Sequence, residues 1–101
     1  MTKAKLSKKK ICPDYAEEDE IAQECVRIIA KHFRTHPMNI ISETSFIDDL
    51  HADDIDGLFI YKQIHESFGI KIKRHNALVT TVNDLVYQVK KELAKNILIA
   101  T

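Results

Sequence analysis

Apolar residues return at helical spacing along three stretches of this chain. From Glu18 onward, Ile21, Cys25, Ile28, Ile29 and Phe33 fall on one stripe, the three-and-four rhythm of an amphipathic helix. Glu17, Glu18, Asp19 and Glu20 stand at its start, where the helix dipole favours acids, and Pro37 is expected to stop it. A second stripe is Ile60, Ile64 and Phe68, with Ile55, Leu58 and Tyr61 at its margins. It predicts a helix that starts near Asp53 or Asp54, either one a competent N-cap, and closes at Gly69. In the third stretch Thr81 caps a helix whose stripe is Val82, Leu85, Val86, Val89 and Leu93. Lys90, Lys91 and Lys95 sit near its C-terminal end, where cations are favoured.

The segments between these helices are unequal. The connection from Pro37 to about Ala52 is long for a small domain, so it is either functional or pinned by apolar anchors, here Ile40, Ile41, Phe46, Ile47 and Leu50. Ile70-Lys71-Ile72 alternates like a strand, but the chain offers no partner strand, and an extended linker is the reading. A short further helix is expected around His75–Val79. The organisation is therefore a basic N-terminal tail over 1–17, a helical domain over 18–96 and an apolar extension over 97–101, the last beginning with Ile97-Leu98-Ile99. The fold class is all-α, a small four-helix bundle with a short third helix and a long loop between helices one and two.

Composition narrows the function. At 101 residues, 45% apolar and 30% charged, the chain has the make-up of one soluble globular domain. No apolar run approaches the roughly 20 residues that span a bilayer, and no apolar stretch follows the Lys-rich start as in a secretory signal. The expected location is the cytoplasm, without membrane insertion. The zero net charge hides an asymmetry: Lys3, Lys5, Lys8, Lys9 and Lys10 crowd the first ten residues, and the rest carries a net of −5. Such a tail is read as solvated. No basic stripe with interleaved aromatics follows it, which argues against nucleic-acid binding. Cys12 and Cys25 form neither a disulfide framework nor a zinc site, and Cys25 is read as a small core residue.

Five blocks carry a resemblance. The chain has Cys25-Val26-Arg27-Ile28-Ile29, then Ser45-Phe46-Ile47-Asp48-Asp49-Leu50, His51-Ala52-Asp53-Asp54-Ile55-Asp56, Phe68-Gly69-Ile70-Lys71-Ile72 and Thr80-Thr81-Val82. In order and spacing these resemble the V-x-x-I-I, S-F, D-L-G-A-D-S-L-D, F-G-I-x-I and T-T-V blocks of the acyl carrier protein family, over roughly residues 18–93. The resemblance implies a four-helix carrier scaffold that is not an enzyme. In that family the motif serine takes a 4′-phosphopantetheine arm whose thiol holds acyl groups. Here Asp54 stands at the serine position and His51 at the preceding glycine. A carboxylate cannot form the arm's phosphodiester, and neither Ser45 nor Ser67 occupies the motif position. No cofactor is therefore expected. The family's second helix is strongly acidic, whereas here only Glu66 is acidic after Asp56, and Phe59, Lys62 and His65 point outward.

Two readings of Asp54 stand side by side: a helix cap worth about 1 kcal/mol, or a fixed charge imitating the phosphate of a loaded carrier. Asp48, Asp49, Asp53, Asp54 and Asp56 form an acidic turn, read as solvated rather than as a metal site. It is no EF-hand, because counting back from Gly57 puts Ala52 first and Gln63 twelfth. His32, His36, His51, His65 and His75 include no pair in a metal or hydrolase motif, and no nucleophile with its base is apparent. Phe59 lies off the inner stripe and is the preferred anchor for a partner. The expected function is a non-catalytic interaction or regulatory module of lipid metabolism. It docks a protein through the second helix and the loop before it, with Asp54, Ile55, Asp56, Leu58, Phe59 and Lys62 as contacts. The alternative is a lipid-handling protein that holds an acyl ligand non-covalently between its second and third helices, a space that Tyr61 narrows.

Overall fold

The computed structural model describes residues 15–16, 18–71 and 79–100, with backbone only for 96–100. Three α-helices organise these residues: α1 over Glu20–Phe33, α2 over Asp54–Phe68 and α3 over Val82–Ala100. A 3-10 turn over Pro37–Asn39 lies in the connection between α1 and α2. Among the described residues the architecture is all-α, the only extended pairing being an isolated antiparallel bridge between Ser45 and Thr81. The short helix expected around His75–Val79 falls mostly outside the described residues, as does most of the basic tail.

Side chains satisfy the starts of the helices, and backbone N–H groups close the ends of α1 and α2. Asp19 caps α1, its carboxylate accepting from Ala22 N at 3.1 Å and from Lys90 Nζ of α3 at 2.8 Å. The helix does not run on to Pro37. It closes at Arg34, which turns left-handed at φ 57° while its N–H reaches back to the carbonyls of Ala30 and Lys31. Pro37 instead opens the 3-10 turn, where its missing N–H costs nothing. Gly69 closes α2 at φ 71°, a conformation glycine adopts without strain. At the start of α3, Thr81 Oγ1 accepts from Asp84 N, and Asp84 Oδ2 accepts from the Thr80 hydroxyl at 2.8 Å and from Thr80 N and Thr81 N at 3.1 Å each. The Thr80 hydroxyl, then these amides, hold the Asp84 carboxyl below its usual range.

α1 is the central element and packs against both α2 and α3. It contributes Ala22, Cys25, Val26, Ile29 and Ala30, all 2% exposed or less, to a core completed by Ile60 and Ile64 of α2 and by Val82, Leu85, Val86 and Val89 of α3. Two residues outside the helices, Ile40 and Ile70, are buried with them. Burial of the Cys25 thiol, reinforced by the nearby charges of Glu24 and Asp19, pushes it up to about 12. Gln23 is buried too, its amide donating to the carbonyls of Tyr15 and Ala16 at 3.0 Å each.

The long connection is held differently from the sequence expectation. Ile40 is buried, and Phe46 and Leu50 rest against the core, but Ile41 and Ile47 are exposed. Backbone hydrogen bonds complete the work that apolar anchors were expected to do. Phe46 N donates to Thr80 O at 3.0 Å, Val82 N to Thr44 O at 3.0 Å and Asn83 N to Ser42 O at 2.9 Å, tying the connection to the start of α3. The helix α3 itself continues through Ile97, Leu98 and Ile99.

Candidate functional site

The consecutive acids at the start of α2 have distinct roles. Asp53 is the N-cap: its Oδ1 accepts from Asp56 N at 3.0 Å, and Asp56 Oδ2 accepts from Asp53 N at 3.0 Å. This reciprocal pair is a capping box with aspartate in both places. Asp54 follows as the first helical residue, exposed, and hydrogen-bonds to no described side chain. The capping role offered for Asp54 therefore belongs to Asp53. The reason is register: once Asp53 takes the extended backbone of a cap, with φ −121° and ψ −171°, Asp54 is already inside the helix.

Asp56 also reaches across to α1. His32 Nε2 lies 2.8 Å from Asp56 Oδ1, and because an ionised carboxylate only accepts, the imidazole nitrogen carries the proton. The hydrogen bond from His32, followed by that from Asp53 N, holds the Asp56 carboxyl below its ordinary range. The His32 ring meets Phe33 edge-on at 4.9 Å and faces Phe59 at 5.7 Å between centroids. Phe59, although 50% exposed, thus has one face supported.

The outer face of α2 is unusually apolar. Ile55, Leu58 and Phe59 are 62%, 51% and 50% exposed, and Ile47 of the preceding loop is 65% exposed. Ile55, Leu58, Phe59 and Lys62 recur at the spacing of a single helix face, opposite the buried Ile60 and Ile64. The helix therefore carries apolar residues on two sides, one packed and one open to solvent. Lys62 is exposed at the end of the open side.

Beneath the start of α2 lies an apolar pocket of about 160 Å³. Phe33, Phe46, Ile60, Tyr61, Val79 and Leu85 form its walls, and Asp53, Asp54 and Asp56 line it with carboxylates. The other acids of the turn are engaged or apart: Asp49 Oδ2 accepts from Ser45 N at 2.7 Å, and Asp48 N donates to Ser45 Oγ at 3.0 Å. Among the described residues no three His, Cys, Asp or Glu side chains converge to hold a metal ion. His51, where the resemblance places a glycine, stands left-handed at φ 55°. Ser67 donates to Glu24 Oε2 at 2.8 Å, on the far end of α2 from the site.

Sequence reasoning named Asp54, Ile55, Asp56, Leu58, Phe59 and Lys62; the structure sets all six between Asp54 and Lys62 in α2, with Ile55, Leu58, Phe59 and Lys62 on its outer face and Asp56 turned toward α1. It did not find the His32–Asp56 tie, because the partners lie 24 residues apart and meet only through the α1–α2 crossing.

Among the described residues, three helices with a long connection between the first two, and one helix start opening onto an apolar pocket, make a small all-α domain. No family model matches the chain. It is similar to an acyl carrier protein of Thermosynechococcus vestitus, 28% identical over 78 residues that cover 76% of this chain and 96% of that one. Acyl carrier proteins of Bradyrhizobium sp. and Rhodopseudomonas palustris are each 33% identical over 66 residues, 64% of this chain and 84% of theirs. The chain belongs to the acyl carrier protein family. Among the described residues no helix is long and apolar enough to cross a membrane.

Proposed function

We propose that this protein uses the carrier scaffold without its covalent arm, as a non-catalytic module that docks a protein partner through α2 and the loop before it. The observation that carries this reading is Asp54, exposed at the first position of α2 where the family motif has serine. A carboxylate there offers no hydroxyl for a phosphodiester. Ile47, Ile55, Leu58 and Phe59 support the docking role, since a row of exposed apolar side chains on one helix face is the usual footprint of an interface. Its setting in lipid metabolism and in the cytoplasm belongs to the same proposal.

Native mass spectrometry of the protein captured from its own host tests it. The expected result is the mass of the bare chain with a second protein bound. Added mass equal to a pantetheine arm would overturn it. Asp54→Ser, incubated with coenzyme A and a phosphopantetheinyl transferase, asks in addition whether the surface around the position still serves the modifying enzyme. No modification is expected, since Phe59 and Lys62 replace the acidic helix face of typical carriers.

The pocket favours one second reading, a non-covalent acyl ligand. Its volume of about 160 Å³ matches a cavity that holds a benzene-sized guest, so a short chain fits and a long one requires α2 to move. The three carboxylates in its lining oppose an anionic head group. Organic extraction of the folded protein that yields no lipid would count against this reading.

A further inference from the structure

A second concavity, of about 590 Å³, is built from α1, its cap Arg34 and α2 alone. Its floor is apolar, with Ile28 buried and the Phe59 ring held in place by its contact with His32. Its rim is cationic. Arg27 is answered by Glu24, but Lys31 and Arg34 make no ion pair among the described residues. His32 donates its proton toward Asp56, and Gln63 adds a neutral amide on the α2 side. Lys62, exposed next to Gln63, adds a further cation beside the groove, one turn before the exposed acid Glu66.

We infer that this α1–α2 groove receives an acidic segment of a partner protein, with an apolar side chain seated on Phe59 and carboxylates meeting Lys31 and Arg34. This rests on the docking role proposed for α2 and names the chemistry of the partner. Two arguments support it. Unpaired cations around an apolar floor complement an acidic amphipathic segment and repel a basic one, and like charges suppress wrong partners. The floor also lies between two helices, the setting in which a third amphipathic helix lays its apolar face. The charge sense is opposite to that of a helix recognised for its acidic residues, so a partner selected by this groove differs from one that reads an acidic carrier.

The test uses the full chain, isotopically labelled, and two synthetic helical peptides. One places glutamates on either side of a single leucine at i±4, and its twin has lysine at every glutamate. The acidic peptide is expected to bind, to shift the amides of Lys31, Arg34, Phe59 and Gln63, and to weaken as salt rises. The double substitution Lys31→Gln with Arg34→Gln, which removes both charges without setting acids at the end of α1, and separately Phe59→Ala, are each expected to weaken it by about tenfold or more while the far-ultraviolet circular dichroism stays that of the folded protein. Equal binding of both peptides, or an acidic peptide indifferent to the double substitution, overturns the inference. Should the lysine twin alone bind, with shifts at Ile55, Leu58 and Phe59, the docking role of α2 stands and the acidic partner falls. Binding of neither peptide also overturns it, and leaves the docking role to the native-mass experiment.

Discussion

Replacing Asp53 and Asp54 one at a time by alanine separates two residues that look interchangeable in the sequence. Asp53→Ala removes the acceptor of the 3.0 Å bond from Asp56 N and dissolves the reciprocal box at the head of α2. Loss of an aspartate N-cap costs about 1 kcal/mol, with about 2 as the upper range. Asp54→Ala removes an exposed carboxylate that bonds to no described side chain. Its favourable interaction with the helix dipole, about 0.3–1 kcal/mol, is opposed by repulsion from Asp53 and Asp56 and by the better helix propensity of alanine, up to about 0.7 kcal/mol. The net change is expected to stay within about 0.5 kcal/mol of zero. Urea unfolding followed by far-ultraviolet circular dichroism resolves this contrast, provided the slope with denaturant is unchanged. In thermal melts the Asp53 variant should fall by roughly 4–8 °C, and the Asp54 variant by far less. An Asp54 variant that loses as much stability as its neighbour would refute the assignment of roles. The contrast also licenses Asp54→Ser as a functional probe, because a serine at a position that does not cap leaves the fold in place.

Three further outcomes are expected. His51→Gly relieves a left-handed side-chain position at φ 55° and should stabilise by up to about 1 kcal/mol, since glycine's greater freedom when unfolded offsets part of the gain; an unchanged urea midpoint would speak against strain there. Cys25, pushed up to about 12 by burial, should react with iodoacetamide at pH 8 at least about tenfold more slowly in the folded protein than in urea, as peptide-level mass spectrometry would read; equal rates would contradict its burial. Asp56 is held below the ordinary carboxylate range of 3.8, so its contribution is complete above that value and is lost as pH falls through the depressed one. The stability gap between the wild type and Asp56→Asn should therefore narrow on acidification from about pH 6 to about pH 2, and a constant gap would refute the His32–Asp56 tie.

What was legible in the sequence followed from local rules. The stripes Cys25–Ile29, Ile60–Ile64 and Val82–Val89 become the core because periodicity reports which face a helix buries. Gly69 and Thr81 mark helix ends because their chemistry has few other uses. Arg34 marks one as well, but an arginine in a left-handed cap carries no signature, so Pro37 drew attention three residues too late. Adjacent Asp53 and Asp54 were ambiguous because both are good caps and only the backbone decides between them. Ile41 and Ile47 were misread as anchors because apolar residues in a loop have no period from which to infer burial, and hydrogen bonds to α3 made them unnecessary. The groove of Lys31, Arg34 and Phe59 arises only from the crossing of two helices, a relation that no window along the chain contains.

The tie between His32 and Asp56 is keyed as well as closed. His32 lies in the last turn of α1, where carbonyls gather, and Asp56 in the first turn of α2, where amides do. Each residue suits its own helix end before it meets the other. Exchanging them, His32→Asp with Asp56→His, rebuilds a pair across the same gap yet sets each residue against its helix and removes the aspartate that bonds Asp53 N. The exchanged protein should remain less stable than the original, so this joint between α1 and α2 has a direction that exchanging its two residues does not restore.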